Sequence, residues 1–304
     1  MTRPHQTTNG VSGGPLAGVV DIHAHCGPDS IQRDIDAIDL ARMARAHGMR
    51  AVVLKNHYEP TASLACLARK VVPEVVAFGG VTLNFSVGGV NARAVDHMAR
   101  VGHGEGRFVW MGSLDTEAQV RFERAQRPGV KFTSNGQLLP ETEAVLDAIA
   151  KYDLVLATGH NTSQECLFLV SEARKRGVRH IVVTHAMMAP IHMSVPEMRD
   201  AASMGAAIEF VYNGLIGPFK EFDLCDYAAA IRAIGPENCI LASDLGQTVN
   251  PPHPEGLIEF FDGLRGEGFS DSAIACMSIE NPARLLGLSP DEVVTSPMAS
   301  STQC

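Results

Sequence analysis

A barrel of eight parallel strands, each followed by a helix, is the fold this sequence predicts, and three observations predict it. Short apolar runs rich in β-branched residues alternate with longer amphipathic stretches along nearly the whole chain, the pattern of repeated βαβ units. Eight such units fit within 304 residues, the number that closes a parallel sheet on itself. Histidines and an aspartate recur at the far ends of the apolar runs, where a parallel barrel presents its strand ends. A doubly wound open sheet is the rival arrangement of the same units.

Taken in order, strands are expected over residues 18–25, 50–57, 75–84, 108–113, 154–160, 180–185, 206–212 and 240–244. Helices are expected over 35–47, 61–71, 92–101, 141–151, 164–176, 195–203, 224–234 and 255–264. Gly48, Gly177, Gly205 and Gly235 stand just past helix ends, where a left-handed cap residue lets the next strand begin within a few residues. Residues 115–140 are the least regular stretch, with an extra strand expected at 129–132. Residues 1–17 read as a mobile arm, 18–288 as one slightly distorted α/β domain of TIM-type (β/α)8 architecture, and 289–304 as a loose tail rich in Ser, Pro and Thr.

Composition removes several classes of function. With 25 Lys and Arg against 34 Asp and Glu the net charge is −9, which argues against a nucleic-acid partner that needs a basic stripe. No apolar run approaches the roughly 20 residues of a membrane span, and residues 1–18 carry no apolar signal-peptide core. The seven cysteines form no CxxC pair and sit partly in apolar runs, as expected in a reducing cytoplasm. A small-molecule substrate is the partner left. The 6% aromatic content gives little sign of a stacking pocket for a large flat one.

The chemistry gathers at strand ends. In Asp21-Ile22-His23-Ala24-His25 the two histidines are two residues apart and so share a face, a spacing that suits zinc, manganese or iron. His160, His185 and Asp244 each end a later apolar run, and core packing gives no reason for those residue types there. Lys55 and His57 lie two apart on the second strand and point inward together. A lysine inside an apolar strand must be neutralised, modified or paired. Here Lys55 is either carboxylated or a cation that grips an anionic substrate, and His57 is an additional metal ligand. Glu209, an acid among apolar neighbours on the seventh strand, is placed to orient a ligand imidazole. Asn84, just ahead of a helix, and Gln247 and His253, after the eighth strand, are expected to meet substrate at the pocket mouth.

This order of residues resembles the amidohydrolase superfamily of metal-dependent hydrolases: HxH on the first strand, His on the fifth and sixth, Asp on the eighth. The segment Asn281-Pro282-Ala283-Arg284, running on to Leu288, looks like the helix that ends such barrels, and the resemblance covers residues 18–288. It implies that His23 and His25 bind the more buried ion with Asp244 as a further ligand. His160 and His185 would complete that site or hold a second ion. It also implies a metal-activated water with Asp244 as general base, cleaving a C–N or C–O bond of an amide, lactam, lactone or ester. Zinc is the first expectation, as one or two ions, and a homodimer is a family-level expectation. The chain departs from many binuclear members in having no bridging residue on the fourth strand, residues 108–113. Lys131 would take that role only if 129–132 were the fourth strand; otherwise it is a surface lysine. A non-oxidative decarboxylase and a non-catalytic metal-binding barrel are the alternative functions.

Overall fold

The structure, a computed structural model, describes residues 13–289. Residues 1–12 of the expected arm and 290–304 of the expected tail lie outside the described residues. Within the arm, however, Leu16 is buried and its N–H donates to the His47 carbonyl at 3.1 Å, so packing begins before residue 18.

Eight parallel strands form one sheet in sequence order: β1 (Val20–His25), β2 (Ala51–Lys55), β3 (Val76–Thr82), β4 (Gly106–Trp110), β5 (Val155–Ala157), β6 (His180–Val183), β7 (Ala207–Val211) and β8 (Cys239–Ala242). Around them lie α1 (Ala37–Ala46), α2 (Ala62–Val71), α3 (Ala92–Ala99), α4 (Glu117–Phe122), α5 (Pro140–Lys151), α6 (Ser163–Lys175), α7 (Val195–Ser203), α8 (Leu224–Ile234) and α9 (His253–Gly266). The sheet closes just past β8, where the Asp244 N–H donates to the His23 carbonyl and the His25 N–H to the Leu245 carbonyl, both at 2.8 Å. This is the TIM-type barrel that the alternating pattern predicts.

Strand periodicity divides the core in two. Ala51 and Val53, Phe108 and Trp110, Val155 and Ala157, and Ile240 and Ala242 fill the barrel interior. Their alternates Val52, Leu54, Val109, Leu156 and Leu241 pack outward against the helices. β1 breaks the rule. Val20 and Ile22 point inward, yet Ala24 packs outward, because the β1–β2 register shifts between Asp21 and Ala24. This bulge switches the inward set from even to odd residues, so that His23 and His25 face the barrel axis and Asp21 does not.

The eight expected strands and the eight expected helices are all present. Residues 129–132 form no strand: Val130 makes one isolated bridge to Thr116, and the irregular region instead contributes α4 and a hairpin of Thr133–Ser134 with Gln137–Leu138. Beyond α9, α10 (Asp271–Ala275) leads through a π turn into α11 (Asn281–Leu286), whose Leu285 and Leu286 plug the opposite end of the barrel interior.

Candidate metal centre

The strands end sooner than their apolar runs. His160 stands three residues beyond β5, and His185 and Asp244 two residues beyond β6 and β8. Backbone turns bring them back over the axis: φ is +68° at Gly159, +23° at His185 and +52° at Asp244. Gly159 has no alternative, since a Cβ there would lie 2.1 Å from the Gly112 carbonyl oxygen. Positive φ at two non-glycine residues is strain held by the surrounding structure, of the kind that marks functional sites.

The five imidazoles predicted to converge form a closed ring. Centroids are 5.5 Å apart for His23 and His25, 4.8 Å for His25 and His57, 6.2 Å for His57 and His160, 4.8 Å for His160 and His185, and 6.0 Å for His185 and His23. Asp244 Oδ1 lies 2.9 Å from His23 Nε2 and 3.1 Å from His25 Nε2, and the donor atoms of these three residues all lie within 4.8 Å of one another. His160 and His185 form a second pair beside them, their Nε2 atoms 3.1 Å apart.

Neighbouring groups decide which nitrogen faces the centre. Both oxygens of Glu209 lie 3.2 Å from Nδ1 of His23, so that nitrogen donates and Nε2 is the one turned to the site. The Gln119 side-chain oxygen does the same for Nδ1 of His160 at 2.9 Å. Lys55 Nζ approaches His23 Nε2 to 2.8 Å and sits 5.6 Å over the ring of Trp110, the last residue of β4, so that strand ends in an indole and offers no bridging ligand.

The electrostatics follow from burial and these pairs. Burial alone would raise Asp244, but the His23 and His25 rings override it and hold the carboxyl well below its ordinary value. Burial drives His25, His57 and His160 well below the imidazole value, and His185 to about 4, so these rings stay neutral. His23 goes the other way. Burial opposes its charge, but Asp244 and Glu209 on its two nitrogens override that and raise it to about 9. A proton on Nε2 there stands where a metal cation would. Burial lowers Lys55 to about 8.

These donors fit a divalent ion. Neutral imidazole nitrogens and a carboxylate are the ligands zinc, manganese and iron take. Nε2 of His23 is faced at once by a carboxylate oxygen and an ammonium, a crowding that a cation between the acceptors resolves. Nδ1 of His25 and of His185 are buried with no hydrogen-bond partner among the described residues, leaving both rings free to adjust.

Not every expected residue meets the site. Asn84 is buried and saturated: its amide donates to the His57 carbonyl and Ser113 Oγ, both at 2.8 Å, and its oxygen accepts from the N–H groups of Ser113 and Asp115. No group is left for a substrate. His253 does not line the mouth either; it is buried at the start of α9, its Nε2 2.9 Å from the His25 carbonyl oxygen, where it braces the end of β1. Gln247 is half-buried and spans Asp244 and Asn250 through its two amide atoms. Lys131 is a surface lysine paired with Glu117 at 3.1 Å. Gln119 went unseen because its helix falls in the region read as irregular, and Ser113, 2.8 Å from Nδ1 of His57, because a lone serine at a strand end carries no pattern. A cleft of about 280 Å3 among Arg179, His180, Glu237 and Arg284 lies at the opposite end of the barrel and takes no part in this centre.

Fold and site together define a TIM-type barrel with a histidine–aspartate centre at the carboxyl ends of its strands. A family of unknown function, DUF6282, matches residues 18–209, and the chain belongs to that family. No curated protein matches it. Solved structures do. An organophosphorus hydrolase from Deinococcus radiodurans superposes with a TM-score of 0.60 at 14% identity, over 93% of this chain and 100% of the other. An amidohydrolase from Pseudomonas aeruginosa gives 0.61 at 13%, over 90% and 96%. A 2,6-dihydroxybenzoate decarboxylase from Rhizobium gives 0.54 at 14%, over 90% and 99%. The likeness read from the strand-end residues is thus met by these enzymes at the level of the fold. No helix among the described residues is long and apolar enough to cross a membrane.

Proposed function

We propose that this protein is a metal-dependent hydrolase that cleaves a C–N or C–O bond of a small molecule. The convergence of His23 Nε2, His25 Nε2 and Asp244 Oδ1 at a buried point on the barrel axis carries the reading. A divalent ion held there, zinc before manganese or iron, supplies Lewis acidity toward a carbonyl oxygen and acidifies water. His23, His25 and Asp244 would hold it, with His160 and His185 beside them for a second ion or an exchangeable position.

The chain's own groups supply the rest. Asp244 stays ionised under the hold of the two rings, so Oδ2, which Asn213 approaches at 3.4 Å, is available to accept a proton at neutral pH. Glu209 and Gln119 face Nδ1 of His23 and His160, which turns Nε2 of both rings toward the centre. Lys55 adds positive charge beside His23, where an oxyanion developing on the substrate gains most from it.

Elemental analysis of the purified protein, with turnover of a panel of lactones, esters and amides, tests this. Bound zinc, manganese or iron that is lost in a His23→Ala, His25→Ala double variant, and hydrolysis of at least one panel member, are the expected results. Metal content unchanged in the double variant would overturn the ligand assignment. Release of CO2 from a substrate without incorporation of water would replace hydrolysis by decarboxylation.

A further inference from the structure

Arg33 lies on the loop between β1 and α1, at the same end of the barrel as the histidines. Its backbone pairs with Gln247 on the loop after β8, and the Asp34 N–H donates to the Gly246 carbonyl at 3.2 Å, so the two loops hold each other. The side chain of Arg33 is only 4% exposed. Nε donates to Asp29 Oδ2 at 2.7 Å, and Asp29 is itself fixed by the Ile31 N–H at 3.0 Å. Nη2, next to Nε on the same edge of the guanidinium, is buried and has no hydrogen-bond partner among the described residues.

A buried, unpaired guanidinium nitrogen is costly unless something arrives to fill it. An Asp that engages Nε alone leaves the two Nη atoms as a planar fork, the shape that matches the two oxygens of a carboxylate. Gln247, paired to Arg33 through the backbone, bonds the Asp244 carbonyl at 2.9 Å, which connects the anchor to the ligand through one residue.

We propose that Arg33 is the substrate anchor of this barrel, its free Nη edge binding a carboxylate of a small acid whose scissile group lies at the metal centre. The assignment rests on the hydrolase reading for the second half of that statement and on the Arg33 geometry for the first. Asp29 is a positioning residue: it orients the fork and meets no ligand.

Calorimetric titration of the metal-loaded protein with malonate, succinate and glutarate, their uncharged diamides, and inorganic phosphate tests the proposal. Wild-type protein is expected to bind at least one of the diacids at least about tenfold more tightly than Arg33→Gln does, the loss expected for a charge-assisted pair. The diamides are expected not to bind. Arg33→Lys keeps a cation beside Asp29 but lacks the fork, and is expected to bind as weakly as Arg33→Gln, with a thermal midpoint near that of wild type showing that the loops are intact. Equal diacid affinity in wild type and Arg33→Gln, wild-type affinity in Arg33→Lys, no diacid binding at all, or a preference for phosphate would each overturn it. Repeating the titration on metal-stripped protein separates the two readings. An Arg33-dependent difference that persists there supports the anchor even if elemental analysis finds no metal.

Discussion

Glu209 fixes the pose of His23: both of its carboxylate oxygens lie 3.2 Å from Nδ1, and one of them also accepts the His185 N–H at 2.7 Å. One acid on β7 therefore sets a ring from β1 and the backbone of another after β6. Glu209→Gln keeps the size and loses the charge that stabilises the donating Nδ1. Metal affinity, measured by competition with a chromogenic chelator, is expected to fall about 10–100-fold with the far-ultraviolet circular dichroism unchanged. An unchanged affinity would remove Glu209 from the metal centre.

Asp21 closes the barrel. Its Oδ1 accepts the N–H groups of His23 and Ser243 at 3.1 and 3.0 Å, and Oδ2 accepts the Ser243 hydroxyl at 2.5 Å. Asp21→Ala strands these donors in a dry interior at the β1–β8 seam. Denaturant unfolding is expected to show a loss of about 3 kcal/mol, and Asp21→Asn a smaller one.

Gly159→Ala is expected to cost about 2–4 kcal/mol, because the new methyl meets a carbonyl oxygen and the backbone must keep φ at +68°. The relief available is to swing the segment outward, which carries His160 with it. Weaker metal retention alongside the lowered thermal midpoint would show that the glycine serves the ligand as well as the fold.

His253, which touches the centre only through the His25 backbone carbonyl, gives a pH signature of its own. Burial holds its folded pKa down to about 4, below the ordinary 6.5. The unfolded chain therefore takes up that proton first as the pH falls. The stability tied to the neutral ring is whole above about pH 6.5 and lost progressively down to about 4. At about 1.4 kcal/mol per pH unit the loss across this window is ~3 kcal/mol. Urea midpoints between pH 4 and 7 are expected to fall more steeply for wild type than for His253→Gln. Parallel slopes would place the protonation elsewhere.

Much of this was legible in the sequence, because the signals were local. Alternation of apolar runs located all eight strands, and the oddness of His, His and Asp at run ends marked His160, His185 and Asp244 before any geometry. What escaped depended on contacts between distant segments. Asn84 reads as a loop amide free to meet a ligand until His57, Ser113 and Asp115 are seen to consume its hydrogen bonds. His253 reads as a mouth residue until α9 is seen to begin beneath the His25 carbonyl. Arg33 belongs to no motif, and its burial and unfilled Nη2 show only once the two loops are placed.

The register shift in β1 has a consequence for how such a protein arises. Without it, strict alternation would keep Val20, Ile22 and Ala24 on the axis and send both rings of the His-x-His pair out among the helices. The extra residue within the stretch 21–24 is thus what shifts the phase of the strand; the same sequence paired without that bulge would line this side of the cylinder with grease in place of imidazole. By the same geometry, one inserted codon is enough to convert an inert scaffold into a chelating one.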